Sequence, residues 1–239
     1  MKAIILAGGK GTRLKPYTYI LPKPLVPVGE RPILAILIDQ LKKSGVKEIV
    51  LCVNHMAELI MAYFGNGENF GVSITYSMEE QPLGTIAPLK LIRDLPEHFL
   101  LMNGDLLTDI DFKDIYNYHI TSDALVTVGA YKRQVHIDFG VLQVEDGVLK
   151  GFTEKPRFDY SVSMGIYVFS RKVLDFVPDG RPYGFDDLML HLLEKKKRVN
   201  VYPFDGYWLD IGRPEDFEQA NLHASPPAGG TTLPDGDKE

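Results

Sequence analysis

The chain of 239 residues is long enough to bury a full core, and its 45% hydrophobic and 24% charged residues match a soluble globular enzyme. A net charge of −6 excludes a general nucleic-acid binder, which needs a broad basic face. The single cysteine, Cys52, excludes an internal disulfide and suits a reducing cytoplasm, and no apolar run approaches the ~20 residues needed to cross a bilayer. A cytoplasmic protein with neither nucleic-acid nor membrane partners is expected, without a signal peptide, because glycines and Lys10 cut the first apolar run short.

Lys2 to Ala7 is a short apolar run bounded by glycines and is predicted as a buried parallel strand. Gly8, Gly9 and Gly11 follow, letting the backbone turn tightly and leave its N–H groups free to face an anion. Arg13, Lys15 and Lys23, the last between Pro22 and Pro24, bring positive charge to the same place. Together these features describe a polyphosphate cradle. The dinucleotide pattern G-x-G-x-x-G would need glycine where Leu14 stands, and the P-loop needs Ser or Thr where Gly11 stands, so neither applies.

Residues 29–32 are a predicted turn. Ile33, Leu34, Leu37, Ile38 and Leu41 recur at helical spacing, and Gly45 closes that helix of residues 33–43. A strand over 47–53, a helix over 56–64 and a strand over 72–76 follow. This β–α–β–α–β order implies parallel strands with right-handed crossovers and helices on both faces. Such sheets bind ligands at the carboxyl ends of their strands. The glycine loop stands at one such end, residues 79–85 at another, and Asn103-Gly104-Asp105 at a third, after the strand of residues 99–102.

The second half is predicted to be more antiparallel, with strands over 124–131, 140–144, 148–152 and 162–169. A helix over 186–195 ends in the basic run Lys195–Arg198, which matches the negative end of a helix dipole. Strands over 199–203 and 207–210 and a helix over 214–223 complete a single domain of residues 1–223. Residues 224–239 are expected to be a disordered tail, since Leu233 is their one apolar anchor.

Asp105 and Asp210 are the candidate metal ligands. A carboxylate after a buried strand and beside Gly104 can project into a phosphate cleft, and Mg²⁺ favours one or two carboxylates plus phosphate oxygens and water. Each taken alone is as well read as a turn or helix-flanking Asp. Asp109 and Asp111 lack the strand-end setting, and the six histidines lack zinc-ligand spacing.

Leu6-Ala7-Gly8-Gly9-Lys10-Gly11-Thr12-Arg13-Leu14, with Lys23-Pro24-Leu25, resembles the signature of the sugar-1-phosphate nucleotidyltransferases. The resemblance covers roughly residues 1–222. It implies a Rossmann-like three-layer α/β/α domain with a mixed, mainly parallel central sheet, and Mg²⁺ as cofactor. The substrates it implies are a nucleoside triphosphate and a sugar-1-phosphate. The left-handed β-helix domain of many relatives finds no room in this length, and the oligomeric state stays open, a homo-oligomer included.

The resemblance also implies roles. Leu6, Ala7, Gly8, Gly9, Gly11 and Thr12 would bind the nucleotide together with Glu80, Gln81, Pro82, Gly84, Thr85, Asn103 and Gly104. Arg13 would neutralise charge on leaving pyrophosphate, and Lys23 would hold the α-phosphate or the sugar phosphate. Phe152-Thr153-Glu154-Lys155-Pro156 is similar to the family's sugar-site segment, where the Glu accepts from sugar hydroxyls and the Lys pairs with the sugar phosphate. Gly140 and Ser163 would complete the sugar site, although many relatives carry Tyr in place of Phe139 and Asn-Ala-Gly in place of Ser163-Met164-Gly165. Guanine's N–H donors suit a carboxylate at Glu79 or Glu80, whereas uracil or thymine suits the Gln81 amide. The runs at 82–89 and 208–217 look most like mannose-1-phosphate guanylyltransferases, which favours GTP. The alternatives are a dTTP or UTP hexose-1-phosphate enzyme, a CTP:phosphocholine-type enzyme, and a regulatory paralogue that binds nucleotide-sugar without turnover.

Overall fold

The structure is a computed structural model, and it describes residues 1–79 and 81–224. The first half runs β1 (Lys2–Leu6), a tight hairpin of β2 (Pro27–Val28) and β3 (Arg31–Pro32), α1 (Ile33–Lys43), β4 (Glu48–Val53), α2 (Ala57–Phe64) and β5 (Ser73–Met78). Then come β6 (His98–Asn103), β7 (Leu106–Thr108) and α3 (Phe112–Ile120). The second half holds β8 (Val126–His136), β9 (Val141–Glu145), β10 (Val148–Thr153), β11 (Arg157–Ser170), α4 (Phe185–Glu194), β12 (Val199–Phe204), β13 (Trp208–Asp210) and α5 (Pro214–Ala224).

Seven strands form one mixed sheet in the order β12-β8-β11-β6-β1-β4-β5. β6, β1, β4 and β5 are parallel neighbours, and β12 is parallel to β8. β11 alone runs against both of its neighbours. Alternation along β1 shows how the layers form. Ala3 and Ile5 enter a core with Leu37 and Ile38 of α1, Ile60 of α2 and Ile115 of α3. Ile4 enters the opposite core with Leu188 and Leu192 of α4. Helices therefore cover both faces, as the β–α–β order requires. A third, smaller cluster joins Leu14, Val26, Ile33, Leu209, Ile211 and Ala220, and fixes α5 beneath the segment that follows the glycine loop.

The structure differs from the sequence reading in the short strands β2, β3 and β7, which the reading lacks, and in three longer elements. β8 and β11 extend five and six residues past the sequence-based bounds, pairing from Arg157↔His136 to Val162↔Tyr131 as an arm beyond the sheet. Polar Lys132, Gln134, Asp159 and Ser161 dilute the apolar signal there. α3 leaves little apolar pattern in the sequence, because only Phe112, Ile115 and His119 of its nine residues are buried. Its N-cap is Asp111, whose carboxylate accepts from the Lys113 N–H at 2.8 Å, so this Asp has a structural task. The expected turn at 29–32 joins the β2–β3 hairpin. The last helix reaches Ala224, and the rest of the expected disordered tail, 225–239, lies outside the described residues.

Candidate active site

β1, β4 and β6 meet where their carboxyl ends diverge. Leu6 is in register with Cys52 on one side and Asn103 on the other, and all three line one cleft of about 490 Å³. Ala7, Gly8, Gly9 and Lys10 line it together with Asn103, Gly104 and Asp105, the two segments joined where the Gly104 N–H donates to the Leu6 carbonyl at 3.0 Å. Pro82, Gly84 and Thr85 close the far side. The glycine loop thus opens directly onto the crevice where open α/β sheets take ligands. Gly11 and Thr12 do not line this cleft; they shape the turn behind it. Gly11 has φ +60°, and a Cβ there would lie 2.8 Å from the Thr18 methyl, so only glycine fits. The Thr18 hydroxyl donates to the Gly11 carbonyl at 2.8 Å and locks the turn.

The two candidate metal carboxylates are neighbours. β13 pairs antiparallel with β7, setting Asp210 opposite Leu106, and the Ile211 N–H donates to the Asp105 carbonyl at 3.0 Å. The Lys23 ammonium donates to Asp105 Oδ2 and forms an ion pair with it. Asp105 Oδ1 and Asp210 Oδ1 are buried and have no hydrogen-bond partner among the described residues. Such orphaned acceptors are costly unless something else satisfies them. Burial raises the Asp210 carboxyl above its ordinary 3.8, and the Asp105 charge adds to that, while Lys23 and Arg13 oppose it. Among the described residues no cluster of three or more His, Cys, Asp or Glu is placed to hold a metal alone. Two carboxylates with open oxygens beside a phosphate cradle do fit a Mg²⁺ that takes its remaining ligands from phosphate and water.

Arg13 leaves the glycine loop on the other side of this pair. Its guanidinium lies 3.5 Å from where a Cβ on Gly212 would sit, and with Asp210 it lines a second cleft of about 590 Å³. Arg133, Arg213 and Trp208 line the same space. The Trp208 indole N–H donates to the Met164 carbonyl at 2.9 Å, and its ring lies 5.3 Å from that of Tyr131.

On the base side, the Glu79 carboxylate lines the first cleft and accepts from the Leu83 N–H at 3.0 Å, closing its own turn. Burial raises its pKa, and the Leu83 N–H partly offsets that. Gln81 is exposed and does not line the cleft; Glu80 lies outside the described residues. Asn54, unread in the sequence, lines the cleft and donates to the Glu79 carbonyl at 3.1 Å. Its place directly after β4 was the available signal, by the same strand-end rule that picked out Asp105.

The expected sugar-phosphate residues line neither cleft: Gly140, Glu154 and Lys155 flank the β9–β10 hairpin and Ser163 is on β11. A Cβ on Gly140 would lie 2.5 Å from the Phe152 ring and 3.2 Å from Glu154 Oε2, so Gly140 and Glu154 are in contact range. Lys155 takes a left-handed turn with φ 42°. The Ser163 hydroxyl is 3.0 Å from the Tyr167 hydroxyl, and the Tyr167 ring stacks on Phe185 at 4.2 Å. The Phe185 N–H in turn donates to the Thr85 hydroxyl at 2.8 Å, which ties Ser163 to the wall of the first cleft.

Residues 2–225 match the family model described as nucleotidyl transferase. A mannose-1-phosphate guanyltransferase of Candida albicans is 36% identical over 228 residues, covering 91% of this chain and 62% of that protein. A UTP–glucose-1-phosphate uridylyltransferase of Synechocystis is 33% identical over 241 residues, covering 92% and 62%. The crystal structure of HddC from Yersinia pseudotuberculosis, complexed with GMP-PN, superposes with a TM-score of 0.71 at 25% identity, covering 94% of this chain and 99% of that one. The chain spans about three-fifths of the length of the curated relatives it matches. A glycine loop at the sheet crevice, two adjoining carboxylates and the family match agree: the chain belongs to the nucleotidyl transferase family.

Proposed function

We propose that this chain transfers a nucleoside monophosphate from a nucleoside triphosphate to a sugar-1-phosphate, releasing pyrophosphate. The observation that carries the reading is the Asp105–Asp210 pair, its two buried oxygens unpartnered, set between the glycine loop and Arg13. Attacker and electrophile are both anionic, so the barrier is one of charge and position, and no nucleophilic side chain is needed. The first cleft takes the nucleoside, and the glycine loop presents backbone N–H groups to its phosphates. Mg²⁺ bound at Asp105 and Asp210 would supply charge neutralisation on phosphate oxygens. Lys23 holds Asp105 in place and is within reach of the α-phosphate, and Arg13 faces the leaving group. Glu154 and Lys155 take the sugar and its phosphate from the hairpin side.

GTP is the favoured donor. The 36% identity to a mannose-1-phosphate guanyltransferase and the carboxylate of Glu79 in the cleft support it. A uridylyl reading has support too, from the 33% identical uridylyltransferase and from the tie between Glu79 and Leu83, which occupies one guanine-facing oxygen. Mannose, a heptose and a pseudo-sugar all remain open as the acceptor. The test is a matrix of GTP, UTP, dTTP and CTP against mannose-, glucose- and heptose-1-phosphate and phosphocholine, scored by pyrophosphate release with and without Mg²⁺. Release from GTP with a sugar phosphate, dependent on Mg²⁺, is the expected result. No release from any pair would overturn the reading in favour of a non-catalytic binding protein.

A further inference from the structure

The β8–β11 arm and the β9–β10 hairpin it carries have no core of their own. From Lys132 to Ser163 not one residue is buried. β12 pairs with β8 only as far as Tyr131, and β6 pairs with β11 only from Ile166 onward, so beyond the sheet the arm is a ribbon of two strands. β9 and β10 form a separate two-stranded sheet. Two-stranded ribbons are marginal in water unless a further strand or another surface covers an apolar face. The hairpin has such a face. Leu142 is paired with Phe152 and Val144 with Leu149, and residues paired across an antiparallel ribbon share a side, so all four project the same way. Each is more than half exposed, and none joins any of the three core clusters among the described residues. Gln143, Glu145, Val148 and Thr153 take the opposite side.

A small ligand cannot cover this face. Gly140 and Glu154 lie at its base, in contact range of each other and beside the Phe152 ring. A sugar held by Glu154 reaches that ring but not the Val144–Leu149 pair, which lies two residues, or about 7 Å, nearer the turn. Charge selects the kind of protein surface. Residues 132–160 hold five Lys and Arg against five Asp and Glu, in a chain of net charge −6. An isologous contact sets one patch against itself, which suits balanced charge and is repelled by a patch of one sign. The area suffices as well. Nine large apolar side chains from Val135 to Tyr160 are exposed, each by on the order of 100 Å², close to the ~800 Å² per partner that a stable interface buries. We propose that the arm and its hairpin are the contact surface for a second copy of this chain, with the Leu142, Val144, Leu149 and Phe152 faces of the two hairpins packed together about a two-fold axis. This contact is independent of the nucleotidyl-transfer reading above.

The test is analytical sedimentation of the full chain over a dilution series, for wild type, Val144→Lys/Leu149→Lys, Val144→Thr/Leu149→Thr and Val148→Lys. Wild type should sediment at twice the 26.8 kDa of one chain and dissociate on dilution. The lysine pair should raise the dimer dissociation constant at least tenfold, while Val148→Lys, on the opposite side of the same hairpin, raises it less than threefold. The threonine pair keeps strand-forming side chains but loses apolar surface, and should raise it at least threefold. It decides alone if the lysine pair does not melt cooperatively. A wild type still monomeric at about 100 µM, a tested pair that falls short of its stated loss, or an equal loss in Val148→Lys overturns the interface. If wild type is monomeric and the lysine pair instead raises KM for a sugar-1-phosphate, the face belongs to the acceptor and the interface falls.

Discussion

Asp210 shows how a site built for a charged ligand costs the empty protein stability. Its carboxyl is raised by burial and by Asp105, so the folded state holds a proton more tightly than the unfolded chain does. Between the ordinary 3.8 and that raised value, stability therefore falls as pH rises, and at neutral pH a carboxylate with one unpartnered oxygen stays buried. Asp210→Asn removes the charge. The ligand-free variant should be more stable than wild type at pH 7, by about 1–3 kcal/mol in urea melts, with the gain shrinking as pH approaches 4. Nucleotidyl transfer should drop at least ~100-fold. A variant less stable at neutral pH would show that Asp210 is satisfied in the resting protein. Arg13→Ala tests the other side of the pair. Losing one preorganised donor on developing charge costs about 100- to 1,000-fold in turnover, and because Arg13 is exposed the melting curve should not move.

At the scale of elements, the fold is steadied at places far from chemistry. His119 of α3 is fully buried, its Nδ1 2.8 Å from the Thr127 hydroxyl and its Nε2 3.2 Å from His98 Nδ1 at the start of β6. Burial, and then the neighbouring His98, pull its pKa from 6.5 to about 4. The folded state needs this ring neutral while the unfolded chain protonates near 6.5, so stability is complete above that value and is lost as pH falls toward 4. From pH 7 to pH 5 the loss should be about 2 kcal/mol in urea midpoints, and His119→Gln should flatten that window. α3 could not be read from the sequence, because six of its nine residues are not buried and its apolar stripe is too thin to register. The long β8–β11 arm was shortened for the same reason. By contrast α1, with six buried residues at regular spacing, was plain, and so was the glycine turn. Its backbone conformation is testable: Gly11→Ala should cost about 1–3 kcal/mol from the left-handed φ alone, more once the Thr18 contact is counted.

For the molecule as a whole, the crevice was legible and its neighbours were not. Three polar clusters after three apolar runs were enough to forecast that the glycine loop, residues 79–85 and Asn103-Gly104-Asp105 would converge, because parallel strands align their carboxyl ends. Leu6, Cys52 and Asn103 share one register, Ser77 of β5 is paired with Cys52, and all three segments line one cleft. The antiparallel character of the second half was legible, but not the place of β11 between β6 and β8, which sets the strand of Arg133 beyond it, on the cleft that Asp210 also lines. Gly140 and Glu154, at the two ends of the β9–β10 hairpin, line neither cleft, so under the proposed reading the nucleoside end of the substrate is the part the first cleft encloses. A ligand enclosed in this way stabilises the whole fold by mass action, by about 2.7 kcal/mol at a concentration 100 times its Kd. With Mg²⁺ present and each nucleotide at one fixed concentration, the melting temperature should rise most with GTP, less with UTP and dTTP, and least with CTP. Asp210→Asn should lose the Mg²⁺-dependent part of the rise and keep the base order, because under the proposed reading the base meets the Glu79 wall of the cleft. UTP or dTTP at the head of the series would place Gln81, not Glu79, in charge of the base and exchange the guanylyl for the uridylyl reading.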